Sequence, residues 1–195
     1  MSKKPDYQAL YRTAENQAGY FTSSQAKESG YSWERLSSST SNGKFQRIER
    51  GVFRISLFPA SPFEDMFIAL LKSGPHAAIS HDSALSVYDL SDALPGDIHI
   101  TFPRTSSRRR RGITYHTKRI TQAEVTFYQG LKVTTVSRAI IDLVESGFDP
   151  IQTKMAIDQA IDRGLMTKDE LLAQVRNKSE SIHRTVRFYL EGEKK

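Results

Sequence analysis

From Gly19 the chain reads Gly-Tyr-Phe-Thr-Ser-Ser-Gln-Ala, from Gly30 Gly-Tyr-Ser-Trp-Glu-Arg-Leu, and from Gly43 Gly-Lys-Phe-Gln-Arg-Ile-Glu-Arg-Gly-Val-Phe-Arg-Ile. Thr22 and Gln25 have the spacing of a capping box, so a helix starts after Thr22 and is expected to end near Ser29-Gly30. Ser32 is a second N-cap, opening a helix through Trp33 and Leu36 to about Ser41. Phe45 to Ile48 and Val52 to Ile55 alternate as strands around Glu49-Arg50-Gly51, the expected tip of a hairpin. A further helix, Asp6 to Gln17, precedes them, with Tyr7, Leu10, Tyr11 and Ala14 at helical spacing. Helix, tight turn, helix and basic hairpin in this order outline a winged helix-turn-helix, which lays its second helix in the major groove of DNA.

The partner expected for such a module is anionic, and the charge agrees. The 195 residues carry a formal net charge of +6, which favours nucleic acid without specifying it. Residues 1–60 hold nine Lys and Arg against five Asp and Glu. A second basic zone, Arg104 to Arg119, has seven basic residues and no acidic one. Cysteine is absent, which excludes disulfides and thiolate zinc sites and points to a reducing cytoplasm. No apolar run approaches the roughly 20 residues of a membrane helix. The lysines at the N-terminus are followed by no apolar segment of the kind a secretory signal needs.

Ser56 to Pro62, with two prolines, reads as the boundary between halves. The expected organisation is α+β: a winged helix-turn-helix over residues 1–58, then a mixed α+β domain over 59–195. In the second half, helices are expected at Phe63–Lys72, about Asp82–Tyr88, Val136–Ser146 (capped by Thr135), about Pro150–Arg163 and Thr167–Val175. Strands are expected at Ala77–Ser80, Ile98–Phe102 and Ile113–Ile120, with a hairpin from Glu124 to Thr134 turning at Gln129-Gly130. Residues 177–195 are polar and fit no element.

On the second helix of the turn, Ser32, Trp33, Arg35, Ser37, Ser38 and Ser39 offer hydroxyls and a guanidinium, while Leu36 faces the core. An arginine can fork onto guanine O6 and N7, and serine can bond bases or phosphates. Lys44, Arg47, Arg50 and Arg54 lie on or beside the hairpin, where cations reach backbone phosphates or the minor groove. Arg108, Arg109, Arg110 and Arg111 form either a second phosphate contact or a solvated basic loop. Ser80-His81-Asp82-Ser83 contains Ser, His and Asp, but adjacent residues do not converge as a triad, and a helix start explains them better. The five histidines, His76, His81, His99, His116 and His183, show no metal-ligand spacing. A P-loop, a dinucleotide fingerprint, and paired carboxylates with a strand lysine are all missing from the pattern. No catalytic residue, metal or cofactor is therefore expected, and the protein reads as a binding module rather than an enzyme.

These segments resemble the N-terminal winged helix of AbiEi-family antitoxins. The second half agrees: Ser-Pro-Phe-Glu-Asp from Ser61, Ile-Ser-His-Asp-Ser-Ala-Leu from Ile79, Leu-Pro-Gly-Asp-Ile-His-Ile-Thr-Phe-Pro from Leu94, and Gly-Leu-Lys-Val-Thr-Thr-Val-Ser-Arg-Ala-Ile-Ile-Asp-Leu from Gly130. The resemblance implies the antitoxin of a bacterial type IV toxin–antitoxin system. Such a protein represses its own operon by binding double-stranded operator DNA, here expected at inverted repeats. Its second domain counters a nucleotidyltransferase-like toxin without a stable complex. Some relatives carry a further nuclease-like domain, which this sequence is expected to lack. A regulator without a toxin, or a nucleic-acid-processing enzyme, stays open at this level.

Overall fold

The computed structural model describes residues 4–90, 96–103 and 110–191. The chain divides into two compact units, Met1–Pro75 and His76–Lys195.

In the first unit, α1 (Tyr7–Glu15) is capped by Asp6, whose carboxylate accepts the Ala9 N–H at 2.9 Å. After β1 (Tyr20–Thr22), the capping box of α2 (Ser23–Glu28) is formed as the sequence predicts. Thr22 Oγ1 accepts the Gln25 N–H at 3.2 Å, and Gln25 Oε1 accepts the Thr22 N–H at 2.8 Å. Helix α2 stops at Gly30, whose φ of +83° suits a residue without Cβ. There the Tyr31 N–H reaches Ala26 O and the Gly30 N–H reaches Lys27 O, both at 2.9 Å. This Schellman closure satisfies the last carbonyls of α2 and buries Tyr31 beneath it. Ser32 then caps α3 (Trp33–Ser41), so the turn between the two helices is fixed by hydrogen bonds at both ends.

Strands β2 (Phe45–Glu49) and β3 (Val52–Ile55) form the hairpin and, with β1, an antiparallel sheet in the order β1-β3-β2. A bulge between Arg47 and Glu49 shifts the register, leaving Arg50 and Gly51 at the tip. Leu10, Ala14, Phe21, Ala26, Tyr31, Leu36, Phe45, Phe53 and Ile55 meet in one core. Gly19 is held close: a Cβ there would lie 2.5 Å from Phe58 side-chain atoms, and its φ is +86°.

The helix after the prolines, α4 (Glu64–Ser73), packs on β1 and β3, stacking Phe67 on Tyr20 with ring centroids 5.9 Å apart. It therefore belongs with the first unit, and the proline-rich stretch taken as the boundary lies within that unit. The cause is apolar: Phe67 and Tyr20 each lose nearly all their accessible surface.

The second unit is a five-stranded mixed sheet in the order β6-β5-β4-β8-β7. Its strands are β4 (Ala78–Ile79), β5 (Ile98–Phe102), β6 (Ile113–Thr117), β7 (Val125–Tyr128) and β8 (Leu131–Thr134). The β7–β8 turn falls at Gln129 and Gly130, with φ of +50° and +81°, as a type I′ hairpin requires. Helices α5 (His81–Val87), α6 (Val136–Ser146), α7 (Pro150–Asp162) and α8 (Lys168–Val175) follow the expected positions closely. Residues 180–191, which the pattern leaves unplaced, form α9 (Glu180–Glu191); only Val186 is buried in it, too sparse an apolar signal to read.

Helix α6 contacts α5, α7, α8 and α9 and is buried from Val136 to Leu143. That stretch includes two charges. Arg138 donates from Nε to Asp142 at 3.1 Å and from Nη1 to Glu124 at 2.6 Å. Lys118 reaches Asp142 at 3.2 Å and Glu145 at 2.6 Å, and Lys178 reaches Glu145 at 2.7 Å. A lysine at the end of a strand thus does meet paired carboxylates, which the sequence pattern did not reveal, but all are engaged in this ion-pair network.

Candidate nucleic-acid interface

Helix α3 is serine-rich and poor in intrinsic propensity. It is held by its Ser32 cap, by Leu36 buried in the core and by the Thr40 hydroxyl donating to Leu36 O at 2.9 Å. Burial of Leu36 fixes which face is outward. Glu34, Ser37, Ser38 and Ser41 recur at i, i+3, i+4 and i+7 and are all exposed. Arg35 and Trp33 flank this stripe, both exposed, Trp33 by 59%. Ser32 is half-buried as the cap, and Ser39 is half-buried on the side turned to the core. The expected residues therefore share one helix, with Ser37, Ser38, Arg35 and Trp33 outward. Glu34, omitted from the expected set, opens the stripe in the first turn of the helix. The Ser32 hydroxyl holds its carboxyl below the usual range.

The hairpin cations part company. Arg47 and Arg50 are exposed, and the Arg47 guanidinium lies 6.0 Å from the Trp33 ring centroid. Lys44 is exposed, with its ammonium 3.7 Å from the centroid of Tyr7 on α1. Arg54, expected to join them, turns inward instead: its guanidinium lies 5.6 Å from the Tyr20 ring centroid and donates to the Phe58 carbonyl. Its place on β3, the central strand, gives it neighbours on both sides. Glu49 beside the tip is neutralised by Lys72 of α4.

In the second unit, Arg108 and Arg109 lie outside the described residues. Arg110 is half-buried and bridges to Ile113, while Arg111 is exposed.

The histidines depart most from expectation. His81, His99 and His116, which show no ligand spacing in sequence, offer ring nitrogens that all lie within 4.8 Å of one another. His99 and Thr114 pair across β5 and β6, as do Thr101 and His116, so both imidazoles share one face of the sheet. His81 opens α5 directly after β4, the other neighbour of β5. His99 Nδ1 lies 3.0 Å from His116 Nε2, and the His81 and His116 rings stack 3.6 Å apart. Burial pushes His81 down to about 2 and His116 down to about 4, helped by neighbouring imidazoles and Lys118, so both rings are neutral at pH 7. Ser80 heads α5 but makes no capping bond through its side chain. Its hydroxyl accepts from Thr101 at 2.8 Å and lies 3.0 Å from His81 Nδ1. Only strand pairing brings these groups together, and no local spacing could have announced it.

Residues 8–56, from α1 through β3, match the model of a family described as transcriptional regulator, AbiEi antitoxin. This N-terminal segment thus resembles AbiEi antitoxin transcriptional regulators, and the match covers 49 of the 195 residues. The AbiEi segment contains all the outward residues of α3 and the hairpin described above, whereas the histidines and the arginine loop lie beyond it. The crystal structure of the RV2827C protein from Mycobacterium tuberculosis is similar in fold, with a TM-score of 0.55 and 12% identity over 97% of this chain and 78% of that one. No curated protein matches the chain. Among the described residues, no helix is long and apolar enough to cross a membrane.

Proposed function

We propose that this protein is a sequence-specific DNA-binding repressor and the antitoxin of a type IV toxin–antitoxin system, repressing its own operon and countering a nucleotidyltransferase-like toxin. The observation that carries the reading is the outward stripe of α3 with an arginine on one flank, beside a hairpin on which Arg47 and Arg50 are exposed, all inside the AbiEi segment. Arg35, Ser37 and Ser38 read base edges in the major groove. Arg47, Arg50 and Lys44 hold phosphates, Ser32 and Ser39 support the helix that carries the readers, and Trp33 packs at the groove edge. Arg108, Arg109, Arg110 and Arg111 add phosphate contacts from the second unit.

The test is a binding titration on the DNA upstream of the protein's own gene and on random duplex. Wild-type protein binds the former more tightly. Arg35→Ala costs about 1–3 kcal/mol on the specific site and much less on random DNA. Equal losses on both would remove Arg35 from base reading. Co-expression with a neighbouring nucleotidyltransferase-like toxin separates the two activities. If Arg35→Ala still protects cells while operator binding is lost, neutralisation lies outside the winged helix.

A further inference from the structure

We propose that His81, His99 and His116 form a binding site for a divalent transition metal, zinc being the ion of choice. The site is independent of the DNA-binding reading: its ligands come from β5, β6 and the start of α5, none of them in the AbiEi segment.

Three imidazoles with no thiolate are a donor set that suits zinc. Zinc–nitrogen bonds of about 2.0–2.1 Å in a tetrahedral arrangement place the nitrogens roughly 3.3 Å apart. Two of these ligand atoms are already 3.0 Å apart, and the third lies no farther than 4.8 Å from either. Small side-chain rotations close that difference.

Supporting groups are also in place. A ligating histidine commonly donates its second ring N–H to a fixed acceptor. The Ser80 hydroxyl, itself held by Thr101, stands 3.0 Å from His81 Nδ1 and leaves Nε2 free to ligate. The Asp82 carboxylate lies 3.5 Å from His99 Nδ1 and supplies negative charge beside the cluster. The cations nearby are already answered, Lys118 by Asp142 and Glu145, and Arg138 by Asp142 and Glu124.

The backbone supplies an independent argument. His81 is 2% exposed and has a φ of +56°, a conformation that costs a residue with a Cβ. Such strain at a buried polar residue is characteristic of positions kept for what the side chain does. Three protein ligands leave a fourth coordination position for water or an anion.

The experiment uses the full-length chain, freed of any polyhistidine tag and of metal, titrated with zinc by calorimetry, with metal content measured after dialysis. Wild type is expected to retain about one zinc per chain and to melt at a higher temperature with zinc than without. His116→Gln and His99→Gln lose the zinc and the thermal shift, while His76→Ala, at an exposed histidine outside the cluster, keeps both. Ser80→Ala weakens binding by about 10–100-fold, as expected for a supporting group. Should the glutamine variants fail to fold by circular dichroism, cobalt added to wild type decides, because nitrogen-rich tetrahedral coordination gives intense visible absorption. A wild type that takes up no zinc and shows no such cobalt spectrum overturns the proposal, as does zinc uptake that persists in folded His116→Gln and His99→Gln.

Discussion

The Arg47 guanidinium lies over the indole of Trp33, 6.0 Å from the ring centroid, and so ties the hairpin to the first turn of α3. Neither residue is buried, yet together they set the spacing between the two elements proposed to grip DNA. A cation–π contact at an exposed site is worth about 0.5–1 kcal/mol. A double-mutant cycle of Trp33→Ala and Arg47→Ala, read as operator affinity, should therefore show a coupling of about that size. Strict additivity would mean that wing and helix act separately.

Glu34 opens the outward stripe, where a carboxylate repels phosphate but can accept from a cytosine amino group. Glu34→Gln is expected to tighten binding to random duplex and narrow the gap between operator and random DNA. Competition binding at fixed salt measures both. Unchanged affinity on random DNA would place Glu34 away from the interface.

Replacing Arg108, Arg109, Arg110 and Arg111 together by alanine should flatten the dependence of log affinity on log salt by about 1 for each phosphate contact removed. Arg50→Ala alone should take about 1 from the same slope. An unchanged slope in the quadruple variant would assign the loop to solvent.

Gly19→Ala meets two penalties at once: φ of +86° and an added methyl 2.5 Å from Phe58. The left-handed backbone costs about 1–2 kcal/mol, and forced repacking about 1–3 kcal/mol more. Chemical denaturation should register the sum as a lower midpoint with an unchanged slope. A loss of only about 1–2 kcal/mol, the backbone cost alone, would show that Phe58 swings away freely.

Acid sensitivity should localise to the second unit. Burial alone would raise the Glu145 carboxyl, but hydrogen bonds from Lys118 and Lys178 and their charges hold it below its ordinary value. Glu124 is likewise held down, against burial, by Thr121 and Arg138. A depressed folded value means stability that is present above the unfolded value of about 4.3 and is lost as pH falls through the lower folded one. Urea midpoints should thus decline below about pH 4 in wild type. Glu145→Gln should be less stable at neutral pH with a shallower acid decline, and an identical acid profile would exclude Glu145 from the linkage.

The winged helix was legible because each signal is local: a capping box, a Ser cap, a glycine stop and two alternating strands. The inward turn of Arg54 was not, since alternation gives its face but not the Tyr20 ring and Phe58 carbonyl that receive it. Nor was the place of α4, whose apolar face does not say which sheet it covers. The histidine cluster lay furthest from view, because its members meet only after β5 and β6 pair in register. On α3, the serines drew notice by chemistry, while Glu34, outward once Leu36 faces the core, did not.

Lys72 answers Glu49 from α4, a helix with no place in the usual anatomy of a reading head. On the proposed DNA-binding reading, the hairpin would present Arg47 and Arg50 to an approaching polyanion with their one acidic neighbour muted. Under that reading affinity could be retuned from the rear of the module: reversing the charge at position 72 would unmask Glu49 and dim the wing without altering any residue proposed to face the duplex.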